Sequence, residues 1–204
     1  MAGPPPIQLD FVLSGDHVDR LPPSAAEVAI VGRSNVGKSS LVNALSNRKK
    51  LAHVSNTPGR TRLLNLFSVV GGKDRSDGLL SATVMDLPGY GYAAASKELR
   101  AGWQTMIEGY LLEREELVMV IVLVDGAVGP TKLDVQMLDW LRDVGLPHTV
   151  VATKHDKVKS SKRERRKRDL AEGCMLEVGD VVWVSSEKGT GIDRLRTMIR
   201  AWLD

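Results

Sequence analysis

The segment Gly32-Arg33-Ser34-Asn35-Val36-Gly37-Lys38-Ser39 constrains this chain more than any other feature. It fits G-x-x-x-x-G-K-[ST], and its surroundings suit that pattern. Glu27–Val31 reads as a short buried strand ending just before it. A helical pattern with Leu41, Val42, Ala44 and Leu45 on one side begins near Ser39. A strand feeding a helix through such a loop makes a hollow lined by backbone N–H groups, with the positive end of the helix behind it. Lys38 can then reach the β- and γ-phosphates of a nucleoside triphosphate, and the Ser39 hydroxyl can ligate Mg²⁺. The loop predicts an α/β fold and a triphosphate ligand, and leaves the base open.

The rest of the chain supplies the remaining layers. Leu63–Val70 and Leu79–Met85 read as an antiparallel hairpin across a Gly- and Asp-rich turn. Lys97–Leu112 reads as a helix, and Leu117–Val124 as a strand covered on both faces. Thr131–Val144 is an amphipathic helix that starts on a Thr131/Asp134 capping box. Thr149–Ala152 and Val181–Val184 read as strands, and a last helix carries Ile192, Leu195, Ile199 and Trp202. Alternating strands and helices predict a doubly wound, mostly parallel six-stranded sheet with one antiparallel strand, flanked by helices. Residues 1–24 read as a Pro-rich arm and lead-in, and 25–204 as a single domain.

Composition excludes several alternatives. A single cysteine, Cys174, leaves no internal disulfide and no thiolate metal cluster, and points to a reducing, cytoplasmic setting. Four scattered histidines show no ligand spacing. Leu117–Val124, the longest apolar run, is too short to cross a bilayer, and the N-terminus lacks the charged start and apolar stretch of a signal peptide.

Four further segments refine the ligand. Asp86-Leu87-Pro88-Gly89 follows a strand; an Asp there can hold Mg²⁺ through water, and the Gly89 N–H can sense the γ-phosphate. Thr153-Lys154-His155-Asp156 also ends a strand. The Asp156 carboxylate can accept from both N1–H and the exocyclic amine of guanine, a donor pair that adenine lacks. Ser185-Ser186-Glu187-Lys188-Gly189 could offer a backbone amide to guanine O6. Thr57-Pro58-Gly59-Arg60-Thr61 lies in an aperiodic stretch where a threonine can complete the Mg²⁺ shell, and Thr61 adjoins the anchoring strand. Each alone also fits an ordinary solvated turn; the order of all five carries the reading of a GTPase.

These residues resemble the EngB family (also called YihA or YsxC), bacterial GTP-binding proteins of the TRAFAC GTPase class. The likeness runs through GRSNVGKSS (32–40), NTPGRTRLLNLF (56–67), DLPGYGYA (86–93), PTKLDVQMLDWL (130–141), TKHDK (153–157) and VSSEKGTGID (184–193). It implies a P-loop GTPase fold. It implies that Gly32, Arg33, Ser34, Asn35, Val36, Gly37, Lys38 and Ser39 bind phosphates, and that Ser39 and Thr61 ligate Mg²⁺. Gly59, Arg60, Thr61, Arg62 and Leu63 become a mobile first switch, and Asp86, Leu87, Pro88 and Gly89 the start of a second. Thr153, Lys154, His155 and Asp156 hold guanine, helped by Val184, Ser185, Ser186 and Glu187. Lys38, Thr61 and Gly89 are the expected catalytic positions. Thr153 stands where Asn is usual in GTPases, a departure the likeness tolerates. The resemblance further implies a role in large ribosomal subunit assembly and in normal cell division and septation.

Two features bear on mechanism and partners. Many GTPases place a water-orienting Gln directly after the D-x-x-G glycine, and here the residue is Tyr90, so slow intrinsic hydrolysis is predicted. A partner could supply the missing group, or Asn35 could hold a K⁺ ion against the phosphates; Asn35 could equally bond its own backbone. Arg33, Arg60 and Arg62 are read as facing solvent or partner phosphates, and Tyr92 as packing within the second switch. The chain carries +3 net, yet Lys157–Arg168 alone holds eight basic residues and one acid, leaving the rest acidic. Lys162, Arg163, Arg165 and Arg166 are the candidates for rRNA phosphates, with Arg48-Lys49-Lys50 as a second cluster. A solvated helix face would look the same. The expected partners are GTP or GDP and the large ribosomal subunit or its precursor, for a monomeric protein with no membrane association. A non-ribosomal protein partner is the alternative.

Overall fold

A computed structural model describes residues 3–52, 63–70, 79–90 and 97–204. It is organised around one sheet. The strands are β1 (Leu9–Gly15), β2 (Glu27–Gly32), β3 (Leu64–Val69), β4 (Thr83–Asp86), β5 (Leu117–Asp125), β6 (His148–Thr153) and β7 (Val182–Trp183). The helices are α1 (Lys38–Ser46), α2 (Lys97–Glu113), α3 (Lys132–Asp143), α4 (Arg163–Gly173) and α5 (Ile192–Leu203). Strand order is β1-β3-β4-β2-β5-β6-β7. β3 is antiparallel to both its neighbours and every other pairing is parallel, so β3 alone runs against the sheet.

The sheet has seven strands where six were expected. The addition, β1, comes from the Pro-rich lead-in and pairs with β3 from Leu9↔Val69 to Gly15↔Leu64. Its register shifts between Phe11 and Leu13, and its middle is exposed or half-buried. An edge strand with a bulge lacks the period-2 pattern that marks a half-buried strand, which is why sequence reading passed over it.

Period-2 alternation sorts the central strands onto two cores. Ala29 and Val31 of β2 and Val120, Val122 and Val124 of β5 face α2, α3 and α4. Val28 and Ile30 of β2 and Ile121 and Leu123 of β5 face α1 and α5. Covered on both sides, these strands carry unbroken aliphatic runs. α3 begins on the expected capping box: Asp134 Oδ2 accepts from the Thr131 N–H and the Thr131 hydroxyl, each at 2.8 Å.

The amino ends of β2 and β4 are tied by one buried carboxylate. Glu27 is wholly buried and accepts from the Tyr110 hydroxyl, Arg114 Nε (2.9 Å) and Thr83 Oγ1 (2.7 Å). Arg114 also donates to the Pro22 carbonyl (2.8 Å), which fixes the lead-in to α2. The carboxyl ends of β2, β4, β5 and β6 open on the opposite edge, where loops from neighbouring parallel strands converge. Among the described residues no helix is long and apolar enough to cross a membrane.

Candidate functional site

The loop between β2 and α1 has the backbone its sequence calls for. Gly37 sits at φ 110°, a left-handed conformation, and caps α1. Gly32 has no room for a side chain: a Cβ there would lie 2.9 Å from Val36 Cγ1 and 3.0 Å from the Leu123 carbonyl. Asn35, at φ 64°, takes the other left-handed turn, which Asn tolerates best among non-glycine residues. It is exposed, and its carbonyl accepts from Lys154 Nζ at 2.9 Å.

Lys38 and Asp86 lie beneath this loop, both buried. Burial pushes the Asp86 carboxyl up to about 6, against the pull of Lys38. Burial also pulls the Lys38 ammonium down, against the pull of Asp86. Both groups shift toward neutrality, so desolvation outweighs their mutual attraction, and the pair is under-compensated. Asp86 Oδ1 has no hydrogen-bond partner among the described residues. An orphaned carboxylate oxygen near a buried ammonium, with the half-buried Ser39 next to Lys38 in the chain, fits a site for a hydrated Mg²⁺ and phosphate oxygens, which would satisfy both charges.

That imbalance has a measurable consequence. The folded state raises the Asp86 pKa from 3.8 to about 6, so the proton is held longer folded than unfolded. The stabilisation is complete below the unfolded value and is lost as pH rises through about 6. Nucleotide-free protein is therefore expected to lose stability between pH 4 and 7, by up to about 3 kcal/mol from this group. Urea unfolding across that range should show the loss in wild type and a flatter profile in Asp86→Asn.

The loop expected to read the base begins where β6 ends, and it grips the loop between β2 and α1. Thr153 Oγ1 donates to the Val36 carbonyl at 2.7 Å. Lys154, itself at φ 56°, bridges the Asn35 carbonyl (2.9 Å) and Asp125 Oδ2 (2.7 Å). The other Asp125 oxygen accepts from the Ala127 and Val128 amides. Sequence reading missed Asp125, although it ends the apolar run of β5 as Asp86 ends β4. Asp156 Oδ1 accepts from Ser185 Oγ at 2.6 Å, and this bond first of all holds the Asp156 carboxyl below the usual carboxylate range. Within the segment expected to offer a backbone amide to guanine O6, the Ser185 N–H donates to the Thr190 carbonyl (2.9 Å), and the Ser185 hydroxyl aims Asp156. Val184 is bonded back to His155 N (3.1 Å), which binds this loop to the base-reading loop. Half-buried Ser186 and exposed Glu187 follow, with Glu187 in an ion pair with Lys157. The His155 ring is edge-on to Trp183, their centroids 5.6 Å apart.

In the segment expected to begin a second switch, Leu87 and Pro88 are buried and Gly89 half-buried. The Tyr90 hydroxyl donates to Asp134 Oδ1 at 2.8 Å. Arg33, expected to face solvent or a partner, packs inward with Nε 3.3 Å from Asp134 Oδ2, an ionic contact without hydrogen-bond alignment. Asp134 is fully buried, and a buried carboxylate draws in the nearest cation. Gly59, Arg60, Thr61, Arg62 and Tyr92 lie outside the described residues, while Leu63 is exposed.

The basic stretch folds as a short turn and α4, and its cations are not alike. Arg163 Nε donates to the Val158 carbonyl and Arg166 to the Val128 carbonyl, each at 3.2 Å. Lys162, Arg165 and Arg168 stand exposed along one side. Arg48 is engaged by Asp10 at 2.8 Å.

A family model described as 50S ribosome-binding GTPase matches residues 27–154. A probable GTP-binding protein EngB of Pelotomaculum thermopropionicum is 47% identical over 178 residues, spanning 87% of this chain and 85% of the relative. A protein of the same name from Thermotoga maritima is 43% identical, over 91% of this chain and 90% of the relative. Among solved structures, a probable GTP-binding protein engB superposes with TM-score 0.68 at 22% identity, covering 87% of this chain and 98% of that one. Aquifex aeolicus Era bound to GDP and AlF4⁻ superposes with TM-score 0.67 at 25% identity, covering 89% and 57% respectively.

Proposed function

Because the chain belongs to the EngB family of GTP-binding proteins, we propose that it is a GTP-operated switch that hydrolyses GTP slowly and acts in assembly of the large ribosomal subunit. The observation that carries the nucleotide reading is the under-compensated Lys38–Asp86 pair beneath a loop held by Thr153 and Lys154. Lys38 and the loop amides would take the phosphates. Ser39, Thr61 and, through water, Asp86 would hold Mg²⁺, which supplies charge to the phosphate oxygens. Asp156 would read guanine through N1–H and the amine, with Thr153 and Lys154 bracing the loop behind it. Slow hydrolysis is supported by Tyr90, whose hydroxyl is committed to Asp134.

The ribosomal reading rests on the matched family description and on the exposed ridge Lys162, Arg165 and Arg168. Phosphate contacts of this kind give strongly salt-dependent binding to structured RNA. With almost no aromatic side chain interleaved, stacking on single strands is disfavoured. A need in cell division would follow from a defect in ribosome supply. In a test by pull-down and sedimentation, the protein should bind GTP and GDP but not ATP, and should travel with large ribosomal subunits at low salt in one nucleotide state. Replacing Lys162, Arg165 and Arg168 by Gln should lower co-sedimentation by about tenfold or more at equal nucleotide affinity. Unchanged co-sedimentation would favour a protein partner instead.

A further inference from the structure

The second switch is fastened to the phosphate loop at more points than its motif requires. Beyond the β2·β4 ladder, parallel pairing resumes at Arg33↔Tyr90. The Tyr90 N–H donates to the Gly32 carbonyl at 3.3 Å, and the Ser34 N–H, an amide of the phosphate loop, donates to the Tyr90 carbonyl at 3.0 Å. The Ser34 hydroxyl reaches the Gly89 carbonyl at 3.4 Å. Gly89 is pressed against the phosphate-binding groups: a Cβ there would stand 2.9 Å from Ser34 N and 3.0 Å from Lys38 Nζ. The outer end of this clasp is the Tyr90 hydroxyl on Asp134.

Asp134 is suited to hold it. It is fully buried at the start of α3 and divides its oxygens. Oδ2 serves the helix cap and faces Arg33, while Oδ1 takes Tyr90. The cap fixes the carboxylate independently of the switch, so Oδ1 is a preset acceptor. Bonds to a buried carboxylate are stronger than neutral ones.

We propose that Asp134 is a positioning residue which, through Tyr90, latches the second switch over the phosphate loop and so sets the preference for GDP over GTP. The inference rests on the guanine-nucleotide reading above. A γ-phosphate must come between Lys38 Nζ and the Gly89 N–H expected to meet it, and the clasp holds Gly89 so near that a Cβ there would stand 3.0 Å from Lys38 Nζ, whereas a diphosphate needs no such opening. GTP therefore binds the unlatched state, and its apparent affinity is reduced by the fraction unlatched. In the unlatched state the Tyr90–Asp134 bond is already broken, so deleting it weakens the latched state alone.

The test is calorimetric titration of the full chain with GDP and with guanosine 5′-(β,γ-imido)triphosphate, both with Mg²⁺. Tyr90→Phe keeps the ring and removes the bond. It should raise affinity for the triphosphate analogue about tenfold while GDP affinity stays within about twofold. Adding Asp134→Asn to Tyr90→Phe should leave that ratio where the single change put it, because the two residues act as one unit. A purely structural role would lower both affinities together, and that result overturns the latch, as does an unchanged ratio. Wild type that bound GDP normally while the ratio failed to move would sink the latch alone. Wild type that bound neither nucleotide would overturn the guanine-nucleotide reading, and the latch with it.

Discussion

Asp156→Asn protein is expected to lose GTP affinity by about 10²-fold or more and to gain affinity for xanthosine triphosphate. The Asp156 carboxylate is acceptor-only, held ionised chiefly by Ser185 Oγ at 2.6 Å and by nearby Lys157. Guanine presents two adjacent donors to it. An Asn amide keeps one acceptor and turns a donor toward the guanine amine, leaving two donors facing each other without an acceptor. Xanthine replaces that amine with a carbonyl, and the Asn pattern fits it. The folding cost should be small, because the Ser185 hydroxyl can donate to an amide oxygen as it does to a carboxylate. Competition binding with GTP and xanthosine triphosphate measures the switch; equal weakening of both would remove Asp156 from base reading.

Arg114→Met is expected to destabilise the protein by about 3–5 kcal/mol without changing nucleotide preference. Glu27 and Arg114 form an ion pair in which Glu27 is fully buried and the Arg114 side chain nearly so. Removing the cation leaves a carboxylate with two hydroxyl donors, Tyr110 and Thr83, and no countercharge in an aliphatic core. For a chain of this length the midpoint of thermal unfolding should fall by roughly 10 °C or more. Glu27→Gln added to Arg114→Met should recover most of the loss, since the cost lies in the stranded charge and not in the absent pair. The pair sits at the amino ends of the strands, opposite the nucleotide loops, so the recovered protein should bind GTP as wild type does. A single variant as stable as wild type would show that Glu27 takes up a proton at little cost.

The two predictions differ in how far the sequence foreshadowed them. Asp156 could be proposed from the sequence because a carboxylate at a fixed spacing from a strand end is what reading guanine would need. Glu27 looked like the ordinary first residue of a strand. Its importance appears only when Arg114, far along the chain, closes on it. Asp134 is similar: the sequence gives it a helix cap, and only packing gives its second oxygen to Tyr90. The basic stretch shows the reverse case. Its charges all count alike in the sequence, yet carbonyls of Val158 and Val128 absorb Arg163 and Arg166, and the outward ridge is left to Lys162, Arg165 and Arg168.

Taken alone, the sequence indicated the nucleotide loops, the order of strands and helices after residue 25 apart from α4, and the base expected at the site. These depend on backbone conformation and residue spacing within a few positions, which local chemistry dictates. The tertiary structure decided the seventh strand, the partners of Glu27, Asp125 and Asp134, and which cations of the basic stretch stand exposed. Each depends on groups distant in the chain meeting where water is excluded, and a buried charge takes whatever partner the fold brings within reach.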